Sequence, residues 1–100
     1  MKIESEVTMT HIVFFKLKES TPENQDQLAA ILNKMQGKID LVHEMEVGKD
    51  FLHSDRSFDV ALIVRLDKEN LDAYQNNALH CACKKEFAPL VDYSKTVDFE

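Results

Sequence analysis

Two segments of this sequence are apolar on both faces of the strands that they predict. Residues 10–17 read THIVFFKL and residues 58–66 read FDVALIVRL, and neither segment contains glycine or proline. β-Branched and aromatic residues of this kind favour strands. Because side chains alternate between the two faces of a strand, both faces here carry apolar groups. A sheet built on these strands must therefore be covered on both sides.

The rest of the chain supplies two helical regions and two more strands. A helix is predicted after residues 20–23 (STPE), where Ser20 or Thr21 can cap it, and Gly37 is a plausible stop. The other predicted elements are a strand at 39–48, a helix at 68–75, a helix at 79–87 and a strand at 93–99. The order β-α-β-β-α-β, with the second helix split at 76–77, predicts a ferredoxin-like α+β fold. Such a fold has a four-stranded antiparallel sheet with helices on one face.

The helices of this fold leave one sheet face uncovered. In the first strand His11, Val13 and Phe15 share a face, which is assigned to the helices. The residues assigned to the opposite face are Ile12, Phe14, Val60, Leu62 and Val64. An apolar patch of that extent is unusual on a monomer, so the sequence predicts a homodimer packed sheet to sheet.

Charge and chain length restrict the possible functions. The chain has 100 residues, which fits one domain, and a formal net charge of −6, which argues against nucleic acid and anionic membranes as partners. No apolar run approaches the roughly 20 residues that span a bilayer. Residues 1–8 are predicted as an N-terminal extension and residues 9–100 as the domain. Without an apolar signal segment near residue 1, a cytoplasmic location is expected.

The two cysteines lie in the sequence His80-Cys81-Ala82-Cys83. A structural zinc site usually needs four ligands in spaced pairs, and this cluster offers too few. We therefore expect no metal and no cofactor, and we interpret Cys81 and Cys83 as reduced thiols.

Four stretches of the sequence resemble one known family. Residues 10–18 (THIVFFKLK) resemble the opening strand of the stress-responsive α/β-barrel (Dabb) family, and 47–48 (VG) the end of its second strand. Residues 74–80 resemble its tyrosine and histidine stretch, and 97–100 (VDFE) its closing strand. The resemblance covers residues 9–100 and implies a dimeric α+β barrel. Some plant members of the family are stress-induced stable oligomers. Others are polyketide cyclases in which a tyrosine and a histidine do acid–base work in a pocket between the helices and the sheet.

The resemblance implies a set of site residues. The catalytic pair falls on His80 and Tyr74, with His11 lining the same pocket. The ligand-binding residues that it suggests are His11, Val13, Phe15, Asp59 and Ala61. The sequence departs from the family at two places: 77–79 (NAL) stands where His-Pro-Ala is common, and Asp59 stands where cyclase members have a pocket histidine.

Three functions are therefore open. The first is a homodimer that binds a small hydrophobic or aromatic molecule without turnover, or a stress-related stabilising module. The second is a polyketide-cyclase-like enzyme in which His80 takes a proton beside a carbonyl and Tyr74 holds the oxygen. The third, a cofactor-free monooxygenase-like enzyme, rests on fold analogy alone. Each residue also has a structural interpretation: His80 can fix a helix start, His11 can be a hydrogen-bonded core histidine, and Tyr74 can be a packing residue.

Overall fold

The structure, a computed structural model, describes residues 7–100. Its elements are β1 (Thr8–Leu17), α1 (Pro22–Asn33), β2 (Val42–Lys49), β3 (Val60–Asp67), a 3₁₀ turn (Lys68–Asn70), α2 (Leu71–Gln75), α3 (Ala78–Phe87) and β4 (Val91–Phe99). The four strands form one antiparallel sheet in the order β2-β3-β1-β4. The predicted ferredoxin-like α+β fold is confirmed. Most of the predicted N-terminal extension, residues 1–6, lies outside the described residues.

Helix α1 begins and ends through local hydrogen bonds. The Thr21 hydroxyl accepts from the backbone N–H of Asn24 at 3.1 Å, and a proline occupies the first turn, where its missing N–H costs nothing. The helix ends four residues before Gly37, which has a φ of +66°. Between them the backbone N–H groups bond carbonyls three residues back, which tightens the chain into turns. Within residues 7–100, no helix is both long enough and apolar enough to cross a bilayer.

The face predicted for β3 is wrong. Val60, Leu62 and Val64 are only 0–2% exposed and pack beneath the helices with Leu28 and Tyr74. Residues directly opposite each other in an antiparallel ladder share a face, and the register pairs His11 with Val64, Val13 with Leu62 and Phe15 with Val60. The helix-covered face of β1 therefore continues into these three residues, and Ala61 and Ile63 lie on the other face.

The start of β2 also differs from the prediction, and a bulge interrupts the alternation of its side chains. The strand begins at Val42 rather than at residue 39, and its register shifts between Val42 and Glu44. This bulge adds one residue to the strand, so Val42 and Met45 both face the core although they are three apart. His43 is the extra residue, and its Nε2 atom points instead to Asp67 Oδ1 at 3.1 Å.

The second face of the sheet, the open face, has no helix over it in the described part of the chain. Its apolar residues are Ile12, Phe14, Ala61, Ile63, Tyr93, Val97 and Phe99. The last three are 46–50% exposed. Phe58 packs between Phe14 and Tyr93, tilted to the first ring and edge-on to the second, with ring centroids 5.8 and 5.9 Å away. The open face is thus rich in apolar residues, as the two-faced strands predict, although Lys95 of β4 lies opposite Phe14 on the same face.

Candidate functional site

A cavity of about 300 Å³ lies between α3 and the helix-covered face of the sheet. Its floor is apolar and includes Val13, Phe15 and Leu62, while Phe87 of α3 forms part of the opposite wall. The polar residues that line it are His11, Gln75, His80, Lys84, Ser94 and Thr96. The cavity therefore combines apolar walls with a few polar groups, the usual composition of a small-molecule site.

Strand β4 explains why this space is open. It is an edge strand, and its residues on the helix-covered face are Ser94, Thr96 and Asp98, all of them exposed. Small and polar side chains here contribute little to the core and fill little volume. The helices therefore do not fully cover the sheet on the β4 side. The cavity lies there, between α3 and the uncovered part of the sheet.

His80 owes its position to the cap of α3. The Asn77 side chain accepts hydrogen bonds from the backbone N–H groups of Leu79 at 2.9 Å and His80 at 3.2 Å. This cap starts the helix anew after α2 and places His80 in its first turn. The Nδ1 atom of His80 lies 3.2 Å from the carbonyl oxygen of Gln75. Because a carbonyl only accepts, Nδ1 carries the proton and Nε2 of the neutral ring is an acceptor.

The surroundings of His80 lower its pKa from 6.5. Burial is the main cause, and the electrostatic interactions with Lys84 and His11 act in the same direction, while the hydrogen bond to Gln75 opposes them. The ring is therefore neutral at pH 7. A neutral imidazole at a cavity wall can accept a proton or a hydrogen bond from a bound molecule.

Tyr74 lies behind His80 rather than on the cavity wall. Its side chain is 0% exposed, and its ring centroid is 4.6 Å from that of His80 and 6.2 Å from that of His11. Among residues 7–100 its hydroxyl has no hydrogen-bond partner. Burial, and then the neighbouring Cys83, raise the pKa of Tyr74 to about 12. The three residues that the sequence singled out do come together, but the tyrosine hydroxyl is sealed in the core.

His11 lines the cavity and is held by a residue that sequence reasoning missed. The His11 side chain is 7% exposed, and its Nδ1 atom contacts Oδ1 of Asp98, whose side chain is 40% exposed. Asp98 is the direct cross-strand neighbour of His11. Alternation along β4 places Asp98 on the same face as Ser94 and Thr96. Its pairing with His11, however, depends on a register that only the folded sheet defines.

Two other predicted ligand-binding residues lie elsewhere. Ala61 is on the open face, opposite Phe14. Asp59 is 2% exposed, and its Oδ2 atom accepts from the Leu17 backbone N–H at 2.8 Å and from the Ser20 hydroxyl at 3.0 Å. These bonds tie the end of β1 to the start of α1, beside a separate cavity of about 320 Å³. The structure therefore separates Ala61 and Asp59 from the cavity that His11, Val13 and Phe15 line.

The cysteines contribute little to this site. Both are free thiols, and the Sγ atom of the buried Cys83 lies 3.5 Å from the carbonyl oxygen of Ile31. Cys81 is partly exposed, with its Sγ atom 3.6 Å from the Gln75 carbonyl. Residues 7–100 contain no group of three or more His, Cys, Asp or Glu side chains placed to hold a metal ion.

Comparisons with known proteins agree with this architecture. A chain from Thermobifida fusca, described as a dimeric ferredoxin-like protein of unknown function, is 24% identical with a TM-score of 0.81 and covers 99% of this chain and 94% of its own. A Dabb family protein from Mesorhizobium loti has 16% identity, a TM-score of 0.78 and coverages of 93% and 95%. The hydroxynitrile lyase of Passiflora edulis has 18% identity, a TM-score of 0.74 and coverages of 92% and 91%.

At these identities the structural neighbours establish the fold alone. Comparison with curated protein sequences finds no match. The family model described as the stress responsive A/B barrel domain (Dabb) matches residues 9–100, which is nearly the whole chain. The chain therefore belongs to the stress responsive A/B barrel (Dabb) domain family.

Proposed function

We propose that this protein is a homodimer that binds a small, largely apolar molecule in the cavity between α3 and the sheet. The observation that carries the proposal is the cavity itself: about 300 Å³ left open over Val13, Phe15 and Leu62, with His11 and His80 on its wall. That volume is at the lower end of the range for ligand sites, roughly 300–1,000 Å³. It suits a molecule of about one ring.

The cavity walls suggest how such a molecule would be held. Its apolar body would bury surface against the floor, which contributes about 25 cal/mol per Å² of apolar area. The imidazoles of His11 and His80, together with the Ser94 and Thr96 hydroxyls, would fix its orientation through hydrogen bonds. A few directional groups around an apolar floor give selectivity for shape first and for polar substituents second.

The homodimer rests on the open face. In residues 7–100 the side of the sheet without helices is rich in apolar residues, although it also includes Lys95. These apolar residues are Ile12 and Phe14 of β1, Ala61 and Ile63 of β3, and Tyr93, Val97 and Phe99 of β4. A patch of this kind is favourably covered by an identical patch related by a two-fold axis. The neighbour from Thermobifida fusca is described as dimeric, which supports a homodimer.

A binding experiment with a cavity-filling variant tests the proposed site. Simple aromatic probes such as p-cresol and 4-hydroxybenzaldehyde would be titrated while amide and imidazole signals are followed by NMR. We expect shifts at Val13, Phe15 and His80, and we expect Ser94→Phe to abolish them by occupying the space. Lys85→Phe, on an exposed position of α3 outside the cavity, is the matched control. Equal binding by both variants would place the ligand somewhere else.

His80 supports a second candidate, an enzyme that uses acid–base chemistry on a carbonyl compound. Its Nε2 atom is a free acceptor because Nδ1 is bonded to Gln75, and its lowered pKa keeps the ring neutral. The Passiflora edulis neighbour is a hydroxynitrile lyase, and a polyketide cyclisation also needs a base beside a carbonyl. Tyr74 would have to act through His80, since its own hydroxyl is sealed in the core.

The enzyme candidate has a direct test. Release of aromatic aldehyde from an aromatic cyanohydrin, and cyclisation of a poly-β-keto thioester, would be measured with the wild type and with His80→Gln. Turnover that the wild type shows and the variant loses, with binding of p-cresol unchanged, favours the enzyme. No turnover by the wild type on either class leaves the binding protein as the better description.

A further inference from the structure

The cavity differs in charge from the protein that contains it. The chain has 18 acidic and 12 basic residues, excluding histidine. Within residues 7–100, however, the cavity wall contains no aspartate or glutamate, and its charged or titratable members are His11, His80 and Lys84. Three other cavities at the surface each include at least one carboxylate. A lysine at the wall of a cavity that lacks carboxylates attracts negative charge.

Neither nearby carboxylate pairs with Lys84, the lysine of the cavity wall. Glu86, two residues after Lys84 on α3, is paired with Lys34 at 2.8 Å. Asp98 contacts His11 and is not on the wall. In the described part of the chain no carboxylate lies within ion-pairing distance of the Lys84 ammonium.

Lys84 and His80 lie on the same side of the cavity, the side formed by α3. They are four residues apart on α3, so they lie one above the other on one helix face. Their electrostatic closeness also shows in the pKa of His80, which the Lys84 charge lowers. A negative group between the two side chains would relieve this repulsion, and His80 would then hold a proton more readily.

We infer that the ligand of this cavity is a small organic acid, with an aromatic or branched aliphatic body over Phe15 and Leu62 and its carboxylate between Lys84 and His80. This inference rests on the proposed function of the cavity as a binding site. The Lys84 ammonium donates to one carboxylate oxygen. His80 takes a proton from solvent and donates it in a hydrogen bond from Nε2 to the other oxygen, because its Nδ1–H is already bonded to Gln75.

A pair of matched probes tests the charge of the ligand. Phenylacetate and phenylacetamide have nearly the same shape and differ by one charge. Their affinities for the full-length wild-type protein would be measured by calorimetry at pH 7 and low ionic strength. We expect phenylacetate to bind about tenfold more tightly, a difference of about 1.4 kcal/mol. We also expect its binding to take up protons, seen as a dependence of the heat on the ionisation enthalpy of the buffer.

Two lysine variants test whether Lys84 causes the preference for phenylacetate. Lys84→Met should reduce the preference for phenylacetate to less than about twofold, whereas Lys85→Met, which changes the net charge equally outside the cavity, should keep it near tenfold. Equal loss in both variants, or equal affinity of the two probes for the wild type, would overturn the organic-acid inference while leaving a binding cavity. Failure of both probes to bind the wild type would overturn the proposed function itself.

Discussion

Asp98 faces His11 across the β1–β4 ladder, and its carboxylate contacts Nδ1 of that buried imidazole. The carboxylate accepts the Nδ1–H bond and so determines which ring nitrogen carries the proton. This leaves Nε2 of His11 as the atom that a ligand can meet. The edge strand β4 thus orients a side chain of the neighbouring strand that lines the cavity.

We expect Asp98→Leu to lower the free energy of unfolding by about 1 kcal/mol. The substitution removes the hydrogen bond between the half-exposed Asp98 carboxylate and the buried His11 imidazole. Asp98→Asn should lose less than half of that, since its amide oxygen still accepts from Nδ1–H. Urea denaturation at pH 7 measures both. Imidazole nitrogen shifts report the tautomer of His11, and an unchanged tautomer in Asp98→Leu would contradict the orienting role.

Removing the buried hydroxyl of Tyr74 should not lower the stability of the protein. Its oxygen has no hydrogen-bond partner within residues 7–100, so Tyr74→Phe removes a buried polar atom without breaking a bond. We expect the unfolding free energy to stay equal or to rise by up to about 1 kcal/mol, and probe binding to be unchanged. Tyr74→Ala should instead cost about 3–5 kcal/mol by opening a core cavity. Loss of binding or turnover in Tyr74→Phe would show that the hydroxyl is functional.

The pKa of His80 predicts how stability depends on pH. In the folded protein this pKa lies below the unfolded value of 6.5, so the unfolded chain binds a proton first as the pH falls. Stability from this residue is complete above pH 6.5 and is lost as the pH falls through the folded pKa. Urea midpoints between pH 5 and 7.5 should therefore decline less in His80→Gln than in the wild type. Parallel declines would mean that His80 is as well solvated as in the unfolded chain.

The sequence predicts the local features of this site well. The break at Asn76-Asn77 and the restart of the helix depend on short-range signals, and Asn77 caps α3. The structural interpretation of Tyr74 as a packing residue agrees with its place in the core, and Leu71, three residues before it, packs against the same core. Such features can be predicted because each depends on a few consecutive residues and on helical geometry alone.

Long-range register is what the sequence leaves undetermined. Val60, Leu62 and Val64 alternate with Ala61 and Ile63, and all five are apolar. Alternation between two apolar sets cannot identify the set that lies under the helices, and a choice that is wrong by one residue reverses the face of every side chain. The contact between Asp98 and His11, 87 residues apart, and the bulge at His43 depend on the same pairing.

Two adjacent residues of β3 test both the register and the dimer. Ile63 lies on the open face and Val64, 0% exposed, lies under the helices. We expect Ile63→Glu to weaken the homodimer by several kcal/mol and to leave a folded monomer, because the carboxylate would be buried only in the interface. Val64→Glu should unfold the chain, since the new carboxylate would be buried under the helices in the monomer as well as in the dimer.

Light scattering after size exclusion gives the mass of each variant, and circular dichroism shows whether it is folded. Ala82→Glu, on an exposed position of α3, controls for added negative charge and should stay a folded dimer. A wild-type protein that is monomeric at micromolar concentration would refute the dimer. A folded Val64→Glu together with an unfolded Ile63→Glu would instead reverse the two faces of β3, and with them the strand pairing that brings Leu62 to the floor of the cavity.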